Sequence, residues 1–156
     1  MMPLKEKEIQ MLGRFRNNSR MSLTKLSKET HIPVSTLFDK LKEYESNNII
    51  KKHTSLLDFK KLGYDVKTQM LITADKDTRD DLQKFLVQNP KVNSVFRINN
   101  GFDFLIEGIF RNMNELDDFA KSLDALNPKE KKEFFVMEDI KREEFFCYKE
   151  NLGIMR

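Results

Sequence analysis

Residues 22–48 read SLTKLSKETHIPVSTLFDKLKEYESNN and decide the fold of the first third of the chain. Ser22 is a suitable N-cap, because a serine hydroxyl accepts a hydrogen bond from the free N–H groups of a first helical turn. Pro33 disfavours the α conformation in the residue before it, so this helix should end near Thr30–Ile32. The stretch therefore begins with one short, capped helix.

A second helix is expected directly after the proline, with Ser35 as its cap. Leu37, Leu41 and Tyr44 recur with the period of one helical face. The opposite face is polar and carries Ser35, Thr36, Asp39, Lys42 and Glu43, with Phe38 and Lys40 on its flanks. Two short helices joined by a tight turn, the second with a polar face, form the helix-turn-helix pattern, in which the second helix enters the major groove of DNA.

The residues after the second helix extend this pattern. Asn48 is a suitable left-handed cap, since asparagine tolerates a positive φ. Residues 49–57 (IIKKHTSLL) are then predicted to form a strand that carries Lys51, Lys52 and His53. Helix, helix and strand in this order predict a winged helix-turn-helix domain over residues 1–57.

Periodicity alone is equally compatible with a second helix whose polar face is merely solvated. The charge distribution favours DNA binding. Residues 1–63 hold 13 Lys and Arg against 7 Asp and Glu, whereas residues 64–156 hold 15 against 18. Net charges of +6 and −3 concentrate the positive charge in the half with the helix-turn-helix, as binding to a polyanion requires.

Composition narrows the class of protein. The chain has 156 residues, of which 39% are hydrophobic and 34% charged, and it has no run of eighteen apolar residues. Its first residues are too polar for a signal peptide. The single cysteine, Cys147, cannot form an internal disulfide, which fits a reducing cytoplasm. We expect a cytoplasmic globular protein.

The second half alternates strands and helices after a hinge at residues 58–63. The expected elements are strands at 64–73, 92–99, 102–110 and 132–140, and helices at 77–89 and 114–126. This β-α-β-β-α-β order predicts a ferredoxin-like domain over residues 64–141. The fold class is α+β. Residues 142–156 are an extension, either a further helix on the core or an arm that reaches a neighbouring subunit.

These motifs together resemble the Lrp/AsnC (feast/famine) transcriptional regulators. The resemblance covers roughly residues 4–141. It rests on Arg20–Ser27, Ile32–Leu41, Ile49–Thr54, Lys61–Tyr64, the turn Gly101–Leu105 and the last strand Phe135–Lys141. It implies a C-terminal domain of the RAM type, association into a homodimer or larger homo-oligomer through the open sheet faces, and a two-fold arrangement of recognition helices on operator DNA.

The DNA-binding residues follow from the helix-turn-helix reading. We expect Ser35, Thr36, Asp39 and Lys42 at base edges, and Arg20, Lys40, Lys51 and Lys52 at phosphates. Ser22, Phe38, Glu43 and His53 complete the expected interface. The resemblance also implies an amino-acid or other small effector near Asn100, Gly101, Phe102 and Asp103. The alternative is that Asn100 and Gly101 only close a hairpin and that Asp103 caps or packs it.

No catalytic constellation, zinc-ligand spacing or phosphate-binding glycine loop is present, so neither an enzyme, a cofactor nor a metal is expected. Two other functions are weighed. Sirohaem decarboxylases resemble the Lrp/AsnC regulators in layout, but their activity is associated with histidines and arginines in the C-terminal domain. Here both histidines, His31 and His53, precede that domain. A protein-interaction module that has lost DNA binding is the other alternative, because Asp39 and Glu43 lie on the recognition face.

Overall fold

The computed structural model describes residues 5–147, which fold into two compact units. Among the described residues, the first unit comprises residues 5–56 together with residues 140–147, and the second unit comprises Leu57–Asp139. The chain therefore leaves the first unit, builds the second and returns to the first.

The first unit contains three helices, α1 (Glu6–Asn17), α2 (Leu23–Thr30) and α3 (Val34–Ser46). Each helix turns one apolar stripe inward, and the fully buried residues from the three helices are Met11, Leu26, Leu37 and Tyr44. Burial of side chains of this size stabilises the unit by roughly 1.5–3 kcal/mol each before entropy is counted. The apolar period predicted for the second helix is confirmed.

The predicted cap of α3 is wrong by two residues. Pro33 is the N-cap, and its carbonyl oxygen accepts the first helical hydrogen bond, from the amide of Leu37 at 3.0 Å. Pro33 has an extended ψ of 143° and a φ of −56°, so its ring already presets the φ that a helix entry needs. Ser35 consequently lies inside the first turn and not at its start.

The predicted wing strand at 49–57 is also wrong. After Asn48, whose φ is 55°, residues 51–58 have no regular secondary structure. A strand requires a partner for its N–H and C=O groups. No segment among the described residues of this unit pairs with 49–57, so the run of β-formers stays an unpaired, exposed segment.

The second unit has the predicted ferredoxin-like order. After a 3₁₀ turn (Lys60–Leu62), its elements are β1 (Val66–Thr73), α4 (Arg79–Gln88), β2 (Val92–Arg97), β3 (Phe104–Phe110), α5 (Met113–Asp124) and β4 (Glu130–Phe135). The four strands pair in the order β2-β3-β1-β4, and every pair is antiparallel. The split β-α-β arrangement is confirmed.

One face of this sheet and the two helices enclose the core of the second unit. Met70 on β1 pairs with Ile106 on β3, and Ile72 pairs with Phe104, so four fully buried side chains lie side by side. The helices add Leu82, Leu86, Leu116, Phe119 and Leu123. The alternate residues of each strand point to the opposite, open face.

β4 is shorter and earlier than the predicted 132–140. It pairs only with β1, from Thr73 opposite Glu130 to Thr68 opposite Phe135. The ladder therefore stops where β1 begins, and residues 137–140 have no strand opposite them among the described residues. Each of the other strands begins or ends two residues inside its predicted bounds, because cross-strand pairing fixes its ends.

The described part of the C-terminal extension, residues 142–147, contains turns and no helix. The expectation of a further helix therefore fails for these residues, and residues 148–156 lie outside the described part of the chain.

Candidate nucleic-acid interface and ligand-binding loop

The turn between α2 and α3 is fixed by local chemistry. The Ser22 hydroxyl accepts a hydrogen bond from the amide of Lys25 at 3.2 Å, as the sequence predicted. His31 takes the left-handed conformation, with φ at 55°, and ends α2. The proline two residues later starts α3, so the two helices meet through a turn of three residues, 31–33.

α3 presents the predicted polar face to solvent. Leu37 and Tyr44 are buried on its inner side, while the exposed residues are Ser35, Thr36, Phe38, Asp39, Lys42 and Glu43. The Lys42 ammonium nitrogen lies 4.5 Å from the centroid of the Phe38 ring, a cation–π contact on the outer surface of the helix. Groups that can donate to or accept from base edges thus line one exposed face.

Lys40, predicted to contact a phosphate, is turned toward α1. Its ammonium nitrogen lies 2.5 Å from the carboxylate of Glu8 and 3.5 Å from that of Glu43. The hydrogen bond to Glu8 raises the pKa of Lys40, and the same bond lowers the pKa of Glu8. In the free protein, a phosphate therefore has to compete with Glu8 for this cation.

Tyr44 lies next to this pair, with the Lys40 nitrogen 5.8 Å from its ring centroid. Burial raises the pKa of the Tyr44 hydroxyl to about 12, and the negative charge of Glu8 adds to the shift. The hydroxyl is therefore neutral at any physiological pH and serves the packing of α3 on α1.

The remaining predicted phosphate contacts are exposed. Arg20, Lys51 and Lys52 are exposed and make no ion pair with any of the described residues 5–147. His53 differs, since its Nε2 lies 2.9 Å from Glu45 and its ring stands edge-on to Phe15 at 6.2 Å between centroids. His53 is thus held on the helical unit, whereas Lys51 and Lys52 carry unneutralised charge.

The predicted effector loop joins β2 to β3. Asn100 and Gly101 both take positive φ values, 65° and 92°, which allow the tight turn. The Gly101 carbonyl accepts a hydrogen bond from the Thr73 hydroxyl at 2.8 Å. Phe102 is half-buried, with the Lys132 ammonium nitrogen 5.1 Å from its ring centroid. These contacts fix the loop against β1 and β4.

Asp103 is fully engaged inside the second unit. One carboxylate oxygen accepts from the backbone amide of Ala74 at 2.9 Å, and the other lies 2.8 Å from the guanidinium of Arg79. This geometry matches the alternative in which Asp103 holds the hairpin. Sequence reasoning missed Arg79 and, in the first unit, Glu8. A charged residue in the first turn of a helix was the signal available for both.

The open sheet face carries exposed aromatic side chains. Phe96 on β2 and Phe134 on β4 are 55% and 52% exposed, and Leu71 and Leu105 pair between them on the two central strands. At the same face Lys67 lies 3.3 Å from Glu107 and 2.6 Å from Asp139. The two central strands therefore present Leu71 and Leu105 on this face, with a charged cluster toward one end of the same strands.

Neither a metal-binding cluster nor a membrane-spanning helix is found among residues 5–147. No group of three or more His, Cys, Asp or Glu side chains among them is arranged to hold a metal ion. None of their helices is long and apolar enough to cross a membrane.

Both units are similar to parts of known proteins. Residues 69–144 match the family described as the Lrp/AsnC ligand binding domain. An uncharacterised HTH-type transcriptional regulator of Pyrococcus abyssi (strain GE5 / Orsay) is 23% identical over 142 residues, which cover 91% of this chain and 97% of that protein. The glutamate uptake regulatory protein of Zymomonas mobilis is 23% identical over 119 residues, covering 74% of this chain and 73% of that protein.

Solved structures share the fold. A transcriptional regulator of Neisseria meningitidis in complex with L-Met superposes with a TM-score of 0.82 at 23% identity, covering 90% of this chain and 94% of that one. LrpC of B. subtilis gives a TM-score of 0.81 at 18% identity, covering 90% and 99%. The likeness spans both units of the chain.

Proposed function

We propose that the chain, which matches the Lrp/AsnC ligand binding domain over residues 69–144, is a transcriptional regulator of that family and binds operator DNA through the outer face of α3. The observation that carries this proposal is the exposed face of a capped, second helix that is polar and contains Phe38 and Lys42 in contact. A helix of this size fits the major groove, where each base pair presents a distinct pattern of donors, acceptors and methyl groups.

The contacts divide by role. Ser35, Thr36, Asp39 and Lys42 are proposed to face bases, and Arg20, Lys51 and Lys52 to contact phosphates. Lys40 is proposed to stabilise α3 through Glu8 in the free protein, and to reach a phosphate only after exchange of that partner.

Selection of bound fragments from genomic DNA by the purified protein tests this proposal and yields the operator. The selected sequence should bind more tightly than bulk DNA, and its affinity should fall steeply with salt. Thr36→Ala should change the preference among sequences, whereas Lys84→Ala, on α4, should change nothing. No enrichment over bulk DNA, or an affinity independent of salt, would favour the protein-interaction module.

We further propose that two copies associate through the open sheet face. Phe96 and Phe134 are exposed there, and a second copy would remove both from water. A two-fold dimer would place its two α3 helices on the half-sites of a roughly palindromic operator.

A small effector, an amino acid such as the methionine bound by the Neisseria meningitidis relative, is proposed for the second unit. The exposed backbone of Asn100 and Gly101 is the proposed contact, and Asp103 is proposed to position the loop through Ala74 and Arg79. Calorimetric titration with each of the twenty amino acids tests this step. If none of them gives a heat of binding, the proposal of an amino-acid effector is wrong, and the proposal of DNA binding is unaffected.

We propose a binding function and not a catalytic one. We also propose that the protein is located in the cytoplasm, together with its DNA target. The histidines that a sirohaem decarboxylase would need are absent from residues 57–139. Incubation with sirohaem should give no change in the Soret band and no decarboxylated product.

A further inference from the structure

The outer face of α3 carries an apolar stripe that the general fold does not require. Val34 and Phe38 are 42% and 48% exposed and lie four residues apart, with Lys42 four residues further on the same face. Leu37 and Tyr44 belong to the core of the unit, and neither Val34 nor Phe38 is among the residues packed against that core.

We propose that Phe38 is a specificity-determining residue that packs on the methyl group of a thymine in the major groove. This inference rests on the proposed function. The C5 methyl of thymine is the apolar group that a base pair presents in the major groove. An exposed phenyl ring on a recognition helix can make an apolar contact with this methyl group. Lys42, 4.5 Å from the ring centroid, restricts the ring and brings an ammonium group beside it.

Charge favours DNA as the occupant of this stripe. Lys42 makes no ion pair with any of the described residues, and Lys51 and Lys52 also stand unneutralised in the same unit. A protein partner is a poorer fit, because Ser35 and Asp39 interrupt the apolar surface and leave it far smaller than a protein interface core.

The test uses the operator selected by the parental full-length protein. Each thymine is replaced singly by deoxyuridine, which removes the methyl group and keeps base pairing. One position in each half-site should lose about fourfold in affinity, the factor expected for one buried methyl group. Phe38→Ala should bind the thymine and deoxyuridine operators equally, and Phe38→Leu should keep part of the difference.

The controls separate this inference from the proposed function. Val87→Ala, an exposed apolar residue on α4, should keep the full sensitivity of the parental protein to deoxyuridine. If the protein binds its operator tightly and no replacement of thymine by deoxyuridine lowers the affinity, the role of Phe38 is wrong and the proposed regulator function is unaffected. An equal loss in Phe38→Ala and parental proteins would also overturn it. Failure to select any operator would overturn both.

A different observation concerns Gly13, which is buried in the interior of α1. A Cβ atom at this position would collide with the backbone carbonyl oxygen of Phe146. One turn further along α1, the guanidinium of Arg16 lies 2.5 Å from the carboxylate of Glu143. Glu143 and Phe146 both take positive φ values, 54° and 70°, and such conformations persist only where the surroundings impose them.

We infer that Gly13 and Arg16 form a seat on α1 for the chain's own C-terminal segment, residues 140–147. Glycine weakens a helix interior, and its presence here is explained by the backbone that it admits. The second unit ends at Asp139, so the seat fastens the returning chain to the unit that holds the helix-turn-helix.

Cys147, the single cysteine, reports on the seat in the full-length protein. Gly13→Ala should label several-fold faster with a thiol reagent than the parental protein, because the added methyl group expels the segment. Arg16→Gln should also accelerate labelling, and Lys7→Ala, elsewhere on α1, should not. At an ordinary helix position, replacing glycine with alanine raises the melting temperature. If Gly13→Ala has a higher melting temperature and the labelling rate of the parental protein, the proposed seat is wrong.

Discussion

The ammonium group of Lys40 on α3 lies 2.5 Å from the carboxylate of Glu8 on α1. Both side chains are partly withdrawn from solvent, with exposures of 33% and 16%. The pair therefore ties the recognition helix to the first helix and sets the orientation of the face that would meet DNA.

This pair predicts an acid-dependent loss of stability. The hydrogen bond from Lys40 lowers the pKa of Glu8 below its ordinary value of 4.5, so protons bind the unfolded state first as the pH falls. The contribution is complete above pH 4.5 and is lost as the pH falls through the lowered value. It should amount to at most about 1 kcal/mol, because the pair is partly solvated.

Urea unfolding of the parental protein and of Glu8→Gln between pH 3 and pH 7 measures this contribution. The difference between the two proteins should be constant near neutrality and shrink toward acid. Glu43→Gln, which removes the longer contact to Lys40, is the control and should leave most of the acid dependence. A difference that grows toward acid would contradict the assignment.

Salt dependence should identify the cations that touch phosphates. The double variant Lys51→Ala with Lys52→Ala removes two exposed, unpaired charges from each protomer, so the slope of log affinity against log salt should fall by about 1.8 for each protomer bound. Lys76→Ala with Lys84→Ala removes the same charge from the second unit. An equal fall in that control would show that net charge, and not contact, sets the slope.

Association through the open sheet face should depend on Phe96. Replacing it with glutamate buries a charge in an apolar contact, so Phe96→Glu should sediment as a monomer at concentrations where the parental protein is a dimer. Val87→Glu places the same charge at a 66% exposed position on α4 and should remain dimeric. If Phe96→Glu is still a dimer, the dimer interface does not include the open sheet face around Phe96.

Thr68 offers a prediction about the core of the second unit. It is fully buried on β1, and its hydroxyl finds no hydrogen-bond partner within residues 5–147. Thr68→Val keeps the shape and removes the unpaired polar group, so the free energy of unfolding should rise by about 1 kcal/mol. Thr68→Ser keeps the hydroxyl and loses a methyl group, so it should be less stable than either. Urea titrations of the three proteins give the order.

Local sequence was sufficient for several elements of the fold. Ser22 caps α2 because the cap needs only a hydroxyl three residues before an amide, and Pro33 separates the helices because its ring acts on its neighbours. The stripe of Leu37 and Tyr44 was readable for the same reason, since a helical period is a property of the segment itself.

Other features depended on partners distant in the chain. The predicted strand at 49–57 has good β-formers and, among the described residues, no pairing segment, while β4 ends where β1 begins. The Lys40–Glu8 pair and the Gly13 seat each join residues that no periodicity relates. Hydrogen-bond ladders and ion pairs require two segments to meet, and a pattern within one segment carries no information about the other.

The sequence by itself thus determined the two-part layout, the helix-turn-helix and the β-α-β-β-α-β order, because caps, turns and apolar periods act over a few residues. Only the tertiary structure decided that Lys40 faces Glu8, that Asp103 holds Ala74 and Arg79, and that Phe38 stays exposed beside Lys42. Those outcomes depend on which surfaces the folded chain brings together. At such a surface a side chain loses contact with water and gains contact with one specific neighbour.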